Sequence, residues 1–249
     1  MRAVLTYHSI DGSGSPISVT AAEFRAHVAW LASGRVRVVP LDALLGLPDE
    51  VDAVALTFDD GFRNVQEHAL PLLRAHALPA TVFVVSDRVG AENAWEGTDG
   101  RVIPRLPLMD WEALGRARED GVEIGAHTRR HPALSRLAPA ALVDEIDGAA
   151  ERIARELGTP PRAFAYPYGD APAAAVAHVR ARYALGCTTS LRVLRAAEDA
   201  ARVPRLDMYY FRQPGRLGTW GRPAFRHRLW WRRQGRALRG AARRLARLP

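Results

Sequence analysis

The stretch ALTFDDGF, Ala55 to Phe62, carries an apolar, β-preferring run straight into two adjacent carboxylates, Asp59 and Asp60, and then a glycine. Successive side chains on a strand point to opposite faces, and like charges held close disfavour each other's ionisation. A strand that ends this way needs compensation. Solvent at a loop tip supplies it in an ordinary Asp-Gly turn, and a bound cation supplies it in a metal site. The stretch alone fits both, so the rest of the chain has to separate them.

Outward from this strand, strand-like and helix-like segments alternate. Ala3 to Thr6 reads as a short apolar strand, and Thr20 with Glu23 forms a capping box ahead of Phe24, Val28 and Leu31 at helical spacing. Strands are predicted over 36–39, 54–58, 80–85, 122–124, 163–165 and 183–187, and helices over 64–77, from Asp110, over 139–157 and over 171–182. Residues 86–108, rich in Gly, Pro and charge, read as a long loop of the kind that borders a site. The βαβα rhythm predicts a mainly parallel sheet, open or closed into a barrel.

In parallel sheets the C-terminal ends of the strands gather on one face, and that face carries the site. Here they deliver Tyr7-His8, Asp59-Asp60-Gly61, the run from Gly125 to His131, and Tyr166-Pro167-Tyr168-Gly169. His127 and His131 are four apart, a spacing that places two imidazoles together on a helix face or in a tight loop. With a carboxylate from another strand end they make a His₂Asp set with positions left for water and substrate. One member of the Asp59/Asp60 pair would then bind the metal while the other serves as general base.

TFDDG at Thr57 to Gly61, HTRRH at His127 to His131 and RAFAYPYG at Arg162 to Gly169 together resemble the polysaccharide deacetylase family, the NodB-homology domain of carbohydrate esterase family four. The resemblance covers residues 1–207. It implies a single-domain α/β fold, a distorted (β/α)₇ TIM-like barrel, and metal-dependent hydrolysis of the N-acetyl group of an amino sugar. It implies Asp59 as catalytic base and Asp60, His127 and His131 as metal ligands. The Tyr168 N–H, on a rigid turn with Pro167 and Gly169, would help stabilise the oxyanion, and the rings of Tyr166 and Tyr168 would line the sugar site. Zinc suits the ligand set, with iron, cobalt and nickel overlapping.

Two departures from the family pattern matter. Many members carry a base-ordering arginine two residues before the proline of the turn, where this chain has Ala165; Arg205 and Arg162 are the candidates to replace it. The catalytic-acid histidine usually lies near the C-terminus, yet nothing after Met208 fits. LTYHSI at Leu5 to Ile10 is similar to that motif moved to the front, as in the circularly permuted branch of exopolysaccharide N-deacetylases, which makes His8 the expected general acid. His68, His76 and His178 match no motif.

The charge is uneven. Of the 35 arginines, 12 lie between Arg212 and Pro249 with no acid among them, so the first 211 residues carry 23 bases against 27 acids, a net of −4. An acidic body argues against nucleic acid as a partner. Residues 208–249, with Trp230 and Trp231 among the arginines, read as a basic tail whose amphipathic helix suits an anionic membrane surface; packing on the barrel is the other reading. The start, MRAVLTYHSI, lacks the features of a secretory signal, and no apolar run of about 18 residues occurs. The expected location is therefore cytoplasmic, peripheral at the inner face of the membrane. Cys187, the single cysteine, is expected to be buried and excludes an internal disulfide. Alternatives to N-deacetylation are N-deformylation, another metal-dependent hydrolysis on the same barrel, or carbohydrate binding without catalysis.

Overall fold

The computed structural model describes residues 1–95 and 102–245. Eight strands make one parallel sheet: β1 (Arg2–Tyr7), β2 (Arg37–Val38), β3 (Ala53–Phe58), β4 (Ala80–Val84), β5 (Glu123–Ala126), β6 (Ala163–Ala165), β7 (Leu185–Cys187) and β8 (Arg205–Asp207). Their order is β8-β1-β3-β4-β5-β6-β7, with β2 paired to the start of β3. The seven-strand path nearly closes, because Cys187 bridges Val203, two residues ahead of β8. The helices are α1 (Ala21–Ala32), α2 (Leu41–Leu44), α3 (Arg63–His68), α4 (Leu70–Ala75), α5 (Trp111–Glu119), α6 (Pro139–Leu157), α7 (Ala173–Arg182) and α8 (Pro223–Leu245). This is the parallel α/β sheet that the alternation predicts, nearly closed into the barrel that the resemblance implies.

Strand parity divides the core in two. Leu5, Tyr7, Leu56 and Phe58 belong to the cluster shared with the helices, whereas Val4, Ala53, Ala55, Ala163, Ala165 and Cys187 form a second cluster with Phe83. The second set is small because it fills the inside of a narrow barrel. Continuing the period of two along β1 and β3 carries the inner row through Thr6 to His8 and through Thr57 to Asp59. The register Val4↔Arg205 puts Arg205 in the same row. The strand parity itself thus aims a histidine, a carboxylate and a guanidinium at one barrel mouth.

Two local differences from the sequence reading have clear causes. The helix expected over 64–77 breaks at Ala69 into α3 and α4, since Pro71 lacks a donor and restarts the helix near its N-terminus. Of the arginine-rich segment, Phe211, Leu217, Phe225 and Leu229 are buried in the main core, so the start of α8 packs on the barrel. No described helix is long and apolar enough to cross a membrane.

Candidate active site at the barrel mouth

Arg205 is fully buried and forks onto Asp59, Nη1 donating to Oδ1 at 2.6 Å and Nη2 to Oδ2 at 2.7 Å. Its Nε donates to the Thr188 carbonyl at 3.0 Å, and its guanidinium lies 5.6 Å from the Phe83 ring centroid. Planar guanidinium and planar carboxylate match in this geometry, so Asp59 is held in one orientation. Burial alone would raise the Asp59 pKa; attraction from Arg205, then His127 and His8, outweighs it and holds the carboxyl well below the usual carboxylate range. His8 Nε2 stands 3.7 Å from Asp59 Oδ2 and is partly open to solvent.

On the other side of the pair, Asp60 faces both motif histidines. Its Oδ1 is 3.6 Å from His127 Nε2 and 3.6 Å from His131 Nε2, and one ligating atom from each of the three lies within 4.8 Å of the others. Asp60 has φ +70°, and Thr128 and His131 each have φ +64°. These left-handed residues turn the chain sharply where an extended strand would carry the side chains apart, a conformation that non-glycine residues adopt only when the surroundings hold them there. His127 Nδ1–H donates to the Ala165 carbonyl at 2.7 Å, which fixes the tautomer and leaves Nε2 as a free lone pair.

The electrostatics of the trio suit a divalent cation. Asp60 Oδ1 and His131 Nδ1 are buried without a hydrogen-bond partner among the described residues. Burial first, and then the Asp59 charge against the opposing pull of His8 and Arg205, pushes the Asp60 carboxyl up to about 7. Burial pushes His127 down to about 4 and His131 well below its ordinary value, so both imidazoles stay neutral. Two neutral nitrogen donors and one carboxylate in tetrahedral reach are the donor set of a divalent transition metal.

A cavity of about 130 Å³ opens onto these groups, bordered also by Ile17, Asn93, Trp95, Ile103, Tyr168 and Thr189. Trp95 stacks on His131 at 4.6 Å and Tyr168 meets the same ring edge-on at 4.7 Å.

The pattern described as polysaccharide deacetylase matches residues 47–185. The chain belongs to the polysaccharide deacetylase family. It is 29% identical over 141 residues to the YxkH protein of Bacillus subtilis, covering 55% of this chain and 45% of that one. It is 24% identical over 165 residues to the poly-β-1,6-N-acetyl-D-glucosamine N-deacetylase of Staphylococcus epidermidis, covering 61% and 54%. The chain spans about half the length of these curated relatives. Among solved structures, IcaB from Ammonifex degensii superposes with a TM-score of 0.71 at 24% identity, covering 83% of this chain and 91% of that one, a likeness of fold. The same holds for the Streptococcus pyogenes deacetylase PplD, with a TM-score of 0.69 at 21% identity and coverage of 82% and 91%.

Within this polysaccharide deacetylase barrel, Asp59, Asp60, His8, His127, His131 and Tyr168 come together at one mouth, as does the Pro167–Gly169 turn on which Tyr168 sits at φ +59°. Two expectations need correction. Arg162 is exposed and faces Asp42 at 3.4 Å, because it precedes β6 and lies at the strands' N-terminal end; it does not reach Asp59, whereas Arg205 does. Tyr166 borders the cavity, but its ring packs on Phe164 and its hydroxyl donates to the Ala201 carbonyl at 2.9 Å, so only Tyr168 offers an exposed ring. His68 and His76 are exposed, and His178 pairs with Asp147 at 2.9 Å.

Sequence reasoning missed Glu145. This buried carboxylate on α6 accepts the backbone N–H of both Arg129 and Arg130 at 2.9 Å, pinning the HTRRH loop. Thr128 Oγ1 accepts the His131 N–H at 3.0 Å inside the same loop. Asn93 and Trp95 fall in the stretch read as a site-bordering loop, yet nothing in their spacing singles them out.

Proposed function

We propose that this protein is a metal-dependent N-deacetylase of amino sugars, acting on a polymer or oligomer of N-acetylated hexosamine. The observation that carries the reading is the division of labour within the Asp pair. Asp59 is locked and kept ionised by Arg205, while Asp60, one residue on, faces two neutral histidines with an unsatisfied oxygen. A binding module has no use for an ionised base beside a ligand set.

Asp60, His127 and His131 would hold the divalent ion, with zinc the first candidate and iron, cobalt or nickel alternatives. When bound, the ion polarises the acyl carbonyl and acidifies water at the mouth. Asp59, with both oxygens oriented by Arg205, takes the proton from the attacking water. His8, 3.7 Å from Asp59, gives a proton to the departing amine. The Tyr168 N–H, on a left-handed turn at the cavity edge, would meet the developing oxyanion. The Tyr168 ring, 48% exposed, offers a face on which a sugar ring can stack.

The likeness to a poly-β-1,6-N-acetyl-D-glucosamine N-deacetylase supports β-1,6-linked N-acetylglucosamine oligomers as the first substrates to try. The second partner we propose is an anionic membrane surface met by the arginine-rich helix α8. The decisive test measures acetate release from such oligomers together with metal content, for wild type, Asp59→Asn and His8→Ala. Both variants are expected to keep the metal and lose turnover; turnover at the wild-type rate in either would remove its assigned role.

A further inference from the structure

Outside the barrel mouth, the most unusual cluster of charge lies where α8 meets the segment after β8. Arg212, Arg216, Arg228 and Arg232 converge there, in a stretch with no acid between Met208 and Pro249. Arg212 is fixed by its Nε donating to the Tyr209 carbonyl at 3.2 Å and by stacking on the Tyr209 ring at 3.9 Å. Arg216 is fixed by Nη1 donating to the Tyr210 carbonyl at 2.6 Å, and Arg232 lies 5.2 Å from the Tyr210 ring. Arg228 Nη1 is buried with no hydrogen-bond partner among the described residues.

Arg212, Arg228 and Arg232 all act on the Arg216 guanidinium with like charge, and a buried donor left unmade costs more than an ordinary hydrogen bond gains. The Arg216 guanidinium is depressed below its ordinary range by burial and then by Arg228, Arg232 and Arg212. An oxyanion with several acceptor oxygens relieves both the repulsion and the missing bond, and guanidinium forks match phosphate geometry. On α8 next to Arg228 and Arg232, Trp231 is 58% exposed and packs at 4.8 Å on Trp230, which is 49% exposed. Exposed indole next to cationic side chains is the combination that settles at a lipid headgroup layer.

We propose that Arg212, Arg216, Arg228 and Arg232 form a phosphate-binding site for the headgroup of an anionic phospholipid, with Trp231 entering the interface beside it. This rests on the reading of α8 as a membrane-facing helix and supplies the residues that do the recognition. None of the four touches the barrel mouth, so the site and the chemistry are separable.

The test is co-sedimentation of the full chain with phosphatidylglycerol-containing vesicles and with pure phosphatidylcholine vesicles. It compares wild type, the double variant Arg216→Gln/Arg228→Gln, and Trp231→Ala, with acetate release reporting that each is folded. Wild type is expected to pellet with the anionic vesicles only. The double variant is expected to partition at least about tenfold more weakly, given the usual contribution of each arginine near an anionic surface, and Trp231→Ala to weaken binding as well. Acetate release from a soluble oligomer is expected to be the same in all three, so a failed deacetylase reading shows separately. Equal pelleting of wild type and double variant overturns the assignment. So does protection by inorganic phosphate without vesicle binding, or a preference for double-stranded oligonucleotide over vesicles.

Discussion

Asp59 and Asp60 are chemically identical neighbours whose pKa values the fold drives in opposite directions. Replacing Arg205 by Met would leave the Asp59 charge buried without its fork, and breaking a buried pair from one side typically costs about 3–5 kcal/mol. We expect Arg205→Met to lose stability of that order in urea unfolding and to lose turnover, with the acid limb of its rate profile displaced to higher pH. The pH dependence of folding has a definite sign. Because the Asp59 pKa is lower folded than unfolded, its contribution is complete above the unfolded value near about 3.9 and disappears as pH falls below it. Asp59→Asn should therefore show a flatter stability curve on the acid side than wild type, and a curve as steep as wild type would contradict the assignment. The role of the Asp pair was half legible in the sequence. Strand parity and motif spacing named the residues, but which arginine serves Asp59 depends on β8 pairing with β1, a contact 146 residues apart in the chain. Arg162 and Arg205 look alike until that pairing is known.

Among the elements, the HTRRH loop is positioned from outside itself. Glu145 on α6 accepts two successive backbone N–H groups, and the loop holds two left-handed residues that need such support. Outer contacts of this kind tune metal affinity by about 10–100-fold. Glu145→Ala is expected to weaken metal binding within that range in a chelator competition while leaving the bulk fold intact, and an unchanged metal affinity would show that the loop holds itself. The Tyr168 turn has a different vulnerability. A Cβ at Gly169 would lie 2.7 Å from the Thr189 backbone nitrogen at φ +70°, so Gly169→Ala should push the turn off the cavity edge and raise KM for the sugar. Helix α6 was readable to the residue from its apolar spacing, as was β6. Glu145 was not, because a carboxylate on an amphipathic helix looks like any solvated charge until the loop beneath it is placed.

For the whole molecule, the segment after β8 belongs to the core as well as to the surface. Phe225 is buried against Phe211 and Trp220, and Trp220 donates to Asp52 at 3.2 Å. Removing residues 212–249 is thus expected to destabilise the barrel as well as remove the arginines, and Phe225→Ala alone to cost about 3–5 kcal/mol in thermal or urea unfolding. His27 ties the same segment to β1. Tyr7 Oη donates to its Nδ1 at 3.2 Å, and its Nε2–H donates to the Phe211 carbonyl at 3.1 Å. Burial holds the His27 pKa below its ordinary value, so the stability it contributes is present above the unfolded value near about 6.5 and is lost as pH falls through the folded one. His27→Gln should remove that slope from a melting series across mildly acidic pH.

The seam between β8 and β1 also sets a schedule for synthesis. His8, the Asp pair and both histidines are all synthesised by residue 131, whereas Arg205 follows 74 residues later. Until β8 docks, a nascent barrel holds two adjacent acids with no guanidinium between its walls. On the proposed mechanism, sealing the last strand into place and arming the base are a single event, and a chain arrested before that moment would carry the proposed metal ligands without an oriented base.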